Sequence, residues 1–408
     1  MSGGCWVPGS TGSLFDVHNL PYGVFSHAGG GRRVGVAVGP SVLDLTGACA
    51  AQHSPHADLF TAGTLNPLLA AGPETWRAQR AEVTGWFTDP GAADRLARHL
   101  VPRADVELHL PFTVADYVDF YASEQHATNL GRLLRPGQQP LPAAWRHLPI
   151  GYHGRAGTVV VSGSEVPRPR GQRWAGEPGG PVVLAPTARL DIEAEVGFVV
   201  GTPSQRGRRV PLAGFADHVF GTVLVNDWSA RDIQAFEYVP LGPFLGKSFA
   251  TSVSPWVVPL AALEHARVRP PARDPRPQPY LDDAEAQPWG LDLRLEVRVN
   301  GSLLSRPPFA GLYWTPAQML AHLTVNGASL RTGDLFASGT VSGPGREEVG
   351  SLAELSWGGS RPVPMPDGGK LSFLRDGDEV VVSGTFPGPG GALLGLGEVR
   401  GTVTPATG

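Results

Sequence analysis

Residues 190–198, Leu-Asp-Ile-Glu-Ala-Glu-Val-Gly-Phe, place a carboxylate at every second position: Asp191, Glu193 and Glu195. Apolar Ile192, Ala194, Val196 and Phe198 fill the alternate positions. A period of two predicts a β-strand with its apolar side chains on one face and its carboxylates on the other. On such a strand Glu193 and Glu195 are neighbours on one face, about 7 Å apart. Like charges that close repel unless water or a cation screens them. Two readings are open. The face is a solvated outer one, or it is part of a hard-cation site where oxygens from several segments meet on Mg²⁺ or Ca²⁺.

Three further segments are dense in functional side chains. The first, Asp116 to Arg135, contains Asp119, Tyr121 and His126; the second, His147 to Arg155, contains Tyr152. The third, Asn226 to Thr251, contains Asp227, Arg231, Gln234, Tyr238 and Lys247. Each has a plain structural reading: Asp119 as a helix cap, His126 as a surface histidine, Asp227 as the end of the strand Val223 to Val225. A strand ending in Asp227 beside a paired-carboxylate strand is the better metal candidate. Other signals fail on their spacing. Gly242 to Ser248 resembles a phosphate loop but has three residues between its glycines where four are needed. The glycines from 388 to 397 precede a strand, so they form no dinucleotide site, and no Gly-x-Ser-x-Gly elbow occurs.

The elements that must position these residues are short strands. With 54 glycines, 40 prolines and 41% hydrophobic residues, the 408-residue chain is folded and rich in turns. Strands are expected at 24–26, 34–38, 42–45, 159–161, 182–184, 198–200, 223–225, 291–299, 379–382 and 399–403. Asn300-Gly301 is a hairpin turn signal after the alternating strand 291–299. Trp76, Val83 and Phe87 mark one face of a helix that starts at Pro73, and a second short helix is expected over 92–100. Thr315 caps a third at Pro316 to Leu323. Residues 102–111 read as a connector, which puts a boundary near 112 and gives units 1–112 and 113–408. The proline-rich stretch 267–289 reads as an extended surface excursion.

A net charge of −4 without a dense basic segment argues against nucleic acid as a partner. No signal peptide and no run of about eighteen apolar residues is evident, so a soluble protein of a reducing compartment, the cytoplasm, without a membrane partner is expected. Cys5 and Cys49 form neither a metal-type pair nor a disulfide framework.

From about Phe15 to Val403 the sequence resembles the fumarylacetoacetase family. The most specific stretches are Asp119-Phe-Tyr through Gly131, Leu148-Pro-Ile-Gly-Tyr-His-Gly-Arg155, Asn226 through Ser248, and Ser254-Pro-Trp-Val-Val-Pro259. The resemblance implies a mainly β chain, a small N-terminal β-barrel followed by a large mixed β-sandwich roll with few helices, working as a homodimer. It implies hydrolysis of 4-fumarylacetoacetate, a diketo acid, to fumarate and acetoacetate, the last step of tyrosine and phenylalanine breakdown. The family's metal ligands fall on Asp119, Glu193, Glu195 and Asp227, with Lys247 and Thr251 lining the same Ca²⁺ or Mg²⁺ site. Its general base falls on His126 and the partner carboxylate on Glu354. Substrate-contacting positions fall on Tyr121, Arg135, Tyr152, Gln234, Tyr238 and Thr340, with Arg231 near the reacting centre. Arg231, Gln234 and Lys247 are then expected to donate to the developing negative charge. Two rivals remain. One is an acylpyruvate hydrolase or decarboxylase of the same superfamily, which generally lacks the N-terminal unit and the His126 segment. The other is a binding protein cemented by Ca²⁺, which leaves His126 and Glu354 without a purpose.

Overall fold

The computed structural model describes residues 4–284 and 288–407. Residues 285–287 of the proline-rich stretch, and the extreme ends of the two expected units, lie outside the described residues. The chain is mainly β with few helices, and a 13-stranded mixed sheet organises it. Its strands are β1 (Tyr22–His27), β2 (Arg33–Val38), β3 (Ser41–Asp44), β4 (Leu100–Pro102), β5 (Val106–His109), β6 (Tyr117–Phe120) and β7 (Gly151–His153). They continue with β8 (Val159–Val161), β9 (Ala194–Val200), β10 (Val219–Asp227), β11 (Thr251–Val253), β12 (Trp256–Pro259) and β13 (Leu335–Ala337). The spatial order is β4-β3-β2-β1-β12-β10-β9-β13-β6-β7, with β5 beside β1 and β11 between β10 and β8. A 5-stranded sheet built around the hairpin Glu379–Pro387 and Leu393–Thr404 forms the second layer.

The N-terminal strands are not a separate sheet. β1 pairs with β12 through Tyr22↔Val257 and Gly23↔Trp256, so the small unit extends the large one. The pairings run open from β4 to β5, and among the described residues none joins those two strands into the expected barrel. The expected connector 102–111 is partly strand: Val106–His109 pairs antiparallel with the second half of β1.

The strand with the carboxylates corrects the picture of a solvated face. Ala194, Val196, Phe198 and Val200 pack in one apolar core, while Val199 joins a second core with Val24, Val36, Val223 and Leu335. β9 therefore has an interior on both sides, and Glu195 is fully buried in the second. A polar row on an alternating strand normally marks water; here it marks a buried site.

Other elements follow their local chemistry. Helix α1 (Gly72–Thr88) buries Trp76, Val83 and Phe87 and carries Pro73 in its first turn. Helix α2 (Glu124–Leu134) starts at Ser123, whose hydroxyl accepts from the His126 amide. Helix α3 (Arg231–Glu237) follows directly on the strand pair 190–191 and 229–230. Helix α4 (Pro316–Thr324) has the reciprocal Thr315–Gln318 capping box. Helix α5 (Leu352–Leu355) is a single turn capped by Ser351. The stretch 267–289 is only partly a surface excursion. Leu281 is fully buried, and Arg273 pairs with Asp283 at 2.8 Å.

Candidate active site

Neighbouring strands of the large sheet, β10, β9 and, beyond β13, β6, bring the carboxylates together. β10 ends in Asp227, β9 carries Glu195, and β6 carries Asp119 in register with Ala337 of β13. Glu193 lies just before β9, where its carbonyl accepts from the Asp227 amide at 3.2 Å. One oxygen from each of Asp119, Glu193, Glu195 and Asp227 lies within 4.8 Å of the others, and all four residues are buried.

Lys247 enters this quartet. Its Nζ donates to Asp227 Oδ2 at 2.7 Å and also to Glu193 Oε2. Arg231 reaches the far side of Glu193, with Nη2 2.7 Å from Oε1, while its Nε donates to Asp191 Oδ2 at 2.8 Å. Burial opposes a charge on Lys247, but Asp227 and Glu193 outweigh it and hold the ammonium well above its ordinary pKa. A protonated amine has no lone pair to give a cation. In this structure Lys247 lines the cluster as a neutralising charge and hydrogen-bond donor to Asp227 and Glu193. Thr251, first in β11, donates to Asp227 Oδ1 at 2.9 Å, and the Tyr152 hydroxyl donates to Asp227 Oδ2 at 2.9 Å.

His126 faces the quartet from α2. Its Nδ1 lies 2.7 Å from Glu354 Oε2, and its Nε2 lies 3.5 Å from Glu193 Oε1. Burial alone would lower the histidine, but Glu354 and Glu193 outweigh it and push its pKa up to about 9. Burial also opposes ionisation of Glu354, yet His126, Asn129 and Ser351 hold its pKa below the ordinary carboxylate value. Asn129 donates to Glu354 Oε1 at 3.0 Å, and the hydroxyls of Ser342 and Ser351 lie 3.0 and 2.8 Å from Oε2. The Tyr121 ring stands edge-on to His126, centroids 5.4 Å apart.

The remaining expected residues divide. Gln234 Oε1 accepts from Arg231 Nη1 at 3.1 Å, so it joins the network. Thr340 is buried with its hydroxyl unpartnered. Arg135 donates instead to the Pro140 carbonyl at 2.9 Å, and Tyr238, the half-buried C-cap of α3, has no side-chain bond into the network among the described residues. A cavity of about 140 Å³ reaches Tyr152 and Lys247 from outside, between Arg155 and Phe244.

The donor set fits a hard divalent cation. Asp119 Oδ1 and both oxygens of Glu195 are buried without a hydrogen-bond partner. Burial, reinforced by the neighbouring carboxylates, holds the pKa of Asp119 and of Glu195 well above the ordinary range. Among the described residues, the six buried carboxylates Asp119, Asp191, Glu193, Glu195, Asp227 and Glu354 have ion pairs only with Lys247, Arg231 and His126. Oxygens left bare in a crowd of negative charge are the chemistry Ca²⁺ and Mg²⁺ satisfy.

Two family models divide the chain between them: the fumarylacetoacetase N-terminal model matches residues 18–111 and the fumarylacetoacetate hydrolase C-terminal model matches 116–404. The chain belongs to the fumarylacetoacetase family. It is similar to the fumarylacetoacetase of Homo sapiens, 44% identical over 420 residues that cover 98% of this chain and 99% of that protein. The Caenorhabditis elegans enzyme is 44% identical over 410 residues, covering 97% of each, and the Arabidopsis thaliana enzyme is 40% identical over 413, covering 97% and 96%. Among solved structures, the fumarylacetoacetate hydrolase of Exiguobacterium antarcticum matches with a TM-score of 0.55 at 18% identity, covering 95% of this chain and 99% of that one, which shows a shared fold. No described helix is long and apolar enough to cross a membrane.

Asp191, Asn129, Ser342 and Ser351 have no assigned part in the reading from sequence. For three of them a signal was nonetheless present. Asp191 is the third carboxylate of the alternating row, Asn129 lies one turn after His126, and Ser351 stands three residues before Glu354, a capping-box spacing.

Proposed function

We infer that the chain hydrolyses the carbon–carbon bond of 4-fumarylacetoacetate, giving fumarate and acetoacetate, at the cluster of Asp119, Glu193, Glu195 and Asp227. The observation that carries the chemistry is His126, held on one nitrogen by Glu354 at 2.7 Å and facing Glu193 with the other at 3.5 Å. A general base needs this orientation: one nitrogen fixed by a carboxylate, the other free to take a proton beside the reacting atoms.

A divalent cation on the four carboxylates would supply Lewis-acid polarisation of the diketone oxygens and a home for enolate charge. His126 Nε2 takes the proton from a water whose oxygen bonds to the carbonyl carbon of the fumaryl group. The bond from that carbon to the methylene between the two ketones then breaks, its electron pair leaves with acetoacetate as an enolate, and a proton returns to that methylene carbon, which becomes the methyl group. Arg231, Gln234 and Lys247 are donors to the charge that develops on oxygen, an effect typically worth about 3 kcal/mol per donor. Arg135, which donates to the Pro140 carbonyl in this structure, would turn with Tyr121 and Tyr152 to a substrate carboxylate, where a guanidinium makes two parallel bonds; Tyr238 and Thr340 are assigned to the substrate wall. Glu354 and Glu193 both push His126 up; a cation on Glu193 would reduce the part that comes from Glu193.

We take Ca²⁺ or Mg²⁺ as the cation, a cytoplasmic homodimer as the working form, and 1–112 and 113–408 as its two units, the second a sandwich roll. The match of the N-terminal model to 18–111 favours this reading over an acylpyruvate hydrolase or decarboxylase. Turnover in ¹⁸O-labelled water tests it. Label in one carboxylate oxygen of fumarate, with none entering acetoacetate, is expected; label in acetoacetate, or no cleavage of the diketone, would overturn it.

A further inference from the structure

The fully buried Asp191 has no place in the reaction as described, yet it accepts more hydrogen bonds than any ligand of the quartet. Its Oδ1 accepts from the amides of Ile192 at 2.8 Å and Leu352 at 2.7 Å. Its Oδ2 accepts from Ala353 N at 3.1 Å and Arg231 Nε at 2.8 Å. The two amides of α5 belong to its first turn, where backbone N–H groups have no partner inside the helix, and that turn carries Glu354.

The contacts form a closed ring. From Asp191 one path runs through the α5 backbone to Glu354 and on to His126 Nδ1. The other runs through Arg231 to Glu193 Oε1, which faces His126 Nε2. Asp191 is the only member that grips both the helix holding the histidine's partner and the guanidinium holding the cluster's edge. Its own backbone is fixed, because Asp191 pairs with Ser229 just before Arg231 begins α3.

On the functional reading above, we propose that Asp191 is a positioning residue that keeps the His126–Glu354 pair in register with the carboxylate cluster. The demand is for a carboxylate. All four groups that meet it are donors, so an asparagine would turn its amide NH₂ against either Arg231 and Ala353 or Ile192 and Leu352. A buried donor left facing donors relaxes by moving one segment, and either movement shifts Glu354 against Glu193. Displacements of this size are felt in turnover more than in substrate affinity.

The test is a double-mutant cycle of Asp191→Asn and Glu354→Gln in the full chain, saturated with Mg²⁺. The expected result for Asp191→Asn is kcat lowered roughly tenfold or more, as for other outer contacts of a metal site, with KM and Mg²⁺ affinity little changed. The double variant should fall no further than Glu354→Gln alone, because both act through His126. Losses that multiply, a loss confined to KM or Mg²⁺ affinity, or unchanged kcat would overturn the proposal. If Asp191→Asn does not fold, Leu352 provides a second route. It opens α5, where proline is tolerated, and Ser351 before it is already extended at φ −136, ψ 153. Leu352→Pro deletes one donor to Asp191, while Leu352→Ala removes side-chain volume and keeps the donor. A lower kcat for the proline variant at similar KM is expected; equal kcat for the two contradicts the proposal. Wild-type protein inert toward the diketone would overturn the functional reading itself, and this inference with it.

Discussion

His126 Nδ1 lies 2.7 Å from Glu354 Oε2, and three more donors, Asn129, Ser342 and Ser351, converge on the same carboxylate. A carboxylate so fully engaged cannot rotate, so it fixes both the plane and the protonated nitrogen of the imidazole. The remaining nitrogen is thereby aimed at the cluster edge.

Replacing His126 by alanine should remove the proton acceptor and leave the carboxylate oxygens in place. Turnover is expected to fall by roughly 10²–10⁴, the usual contribution of a positioned base, with Mg²⁺ or Ca²⁺ affinity retained. Titration calorimetry beside a turnover assay separates the two. Loss of cation binding in His126→Ala would make the histidine a ligand.

The stability of chelated protein should fall as pH rises. Asp119 and Glu195 have folded pKa values raised by burial and by their neighbours. Groups raised in this way stabilise below their unfolded pKa of about 4 and lose that contribution as pH climbs through the folded value. His126, pushed up to about 9, acts in the same direction. Glu193 and Glu354 are depressed, so their contribution is complete above the ordinary carboxylate range and stays level. A bound cation favours the ionised carboxylates. The gap in Tm between cation-loaded and chelated protein should therefore widen from pH 5 to pH 8; a constant gap would count against a cation on these oxygens.

Lys247→Met should strip the quartet of its built-in cation. Glu193 and Asp227 then lose a buried partner, a change that typically costs about 3–5 kcal/mol. Denaturant unfolding in chelator should show a loss of that order, and saturating Mg²⁺ or Ca²⁺ should restore part of it. If the loss is the same with and without cation, the ammonium and the cation do not share these carboxylates.

Gly131 tests how α2 is seated. A Cβ at this buried position would overlap the Pro140 carbonyl oxygen. Gly131→Ala should cost about 1–3 kcal/mol as the helix or the 136–142 loop gives way, and lower turnover because the same helix carries His126. Full activity with unchanged Tm would mean that α2 is seated by other contacts.

The sequence made the strands and caps legible wherever local chemistry determines them. Thr315 with Gln318 starts α4, and Asn300 and Gly301, at φ 49 and 76, make the hairpin turn that their side chains favour. The alternating carboxylates announced a strand but not its surroundings, because Lys247, Arg231 and His126 reach Glu193 from other segments of the chain. Val106–His109 escaped for a similar reason: its strand character comes from β1, some eighty residues earlier. Asp191 was in plain view, but its function rests on the distant amides of Leu352 and Ala353. Leu281, in a stretch that reads as solvated, is buried where Gln318 donates to its carbonyl at 2.7 Å.

The most direct measurement follows the diketone absorbance of fumarylacetoacetate with purified protein, first with a chelator and then after adding back Mg²⁺ or Ca²⁺. Turnover that stops with chelator and returns with cation is expected from a cluster whose Asp119 and Glu195 oxygens are otherwise bare. Undiminished turnover in chelator would contradict a cation-dependent reaction at these four carboxylates.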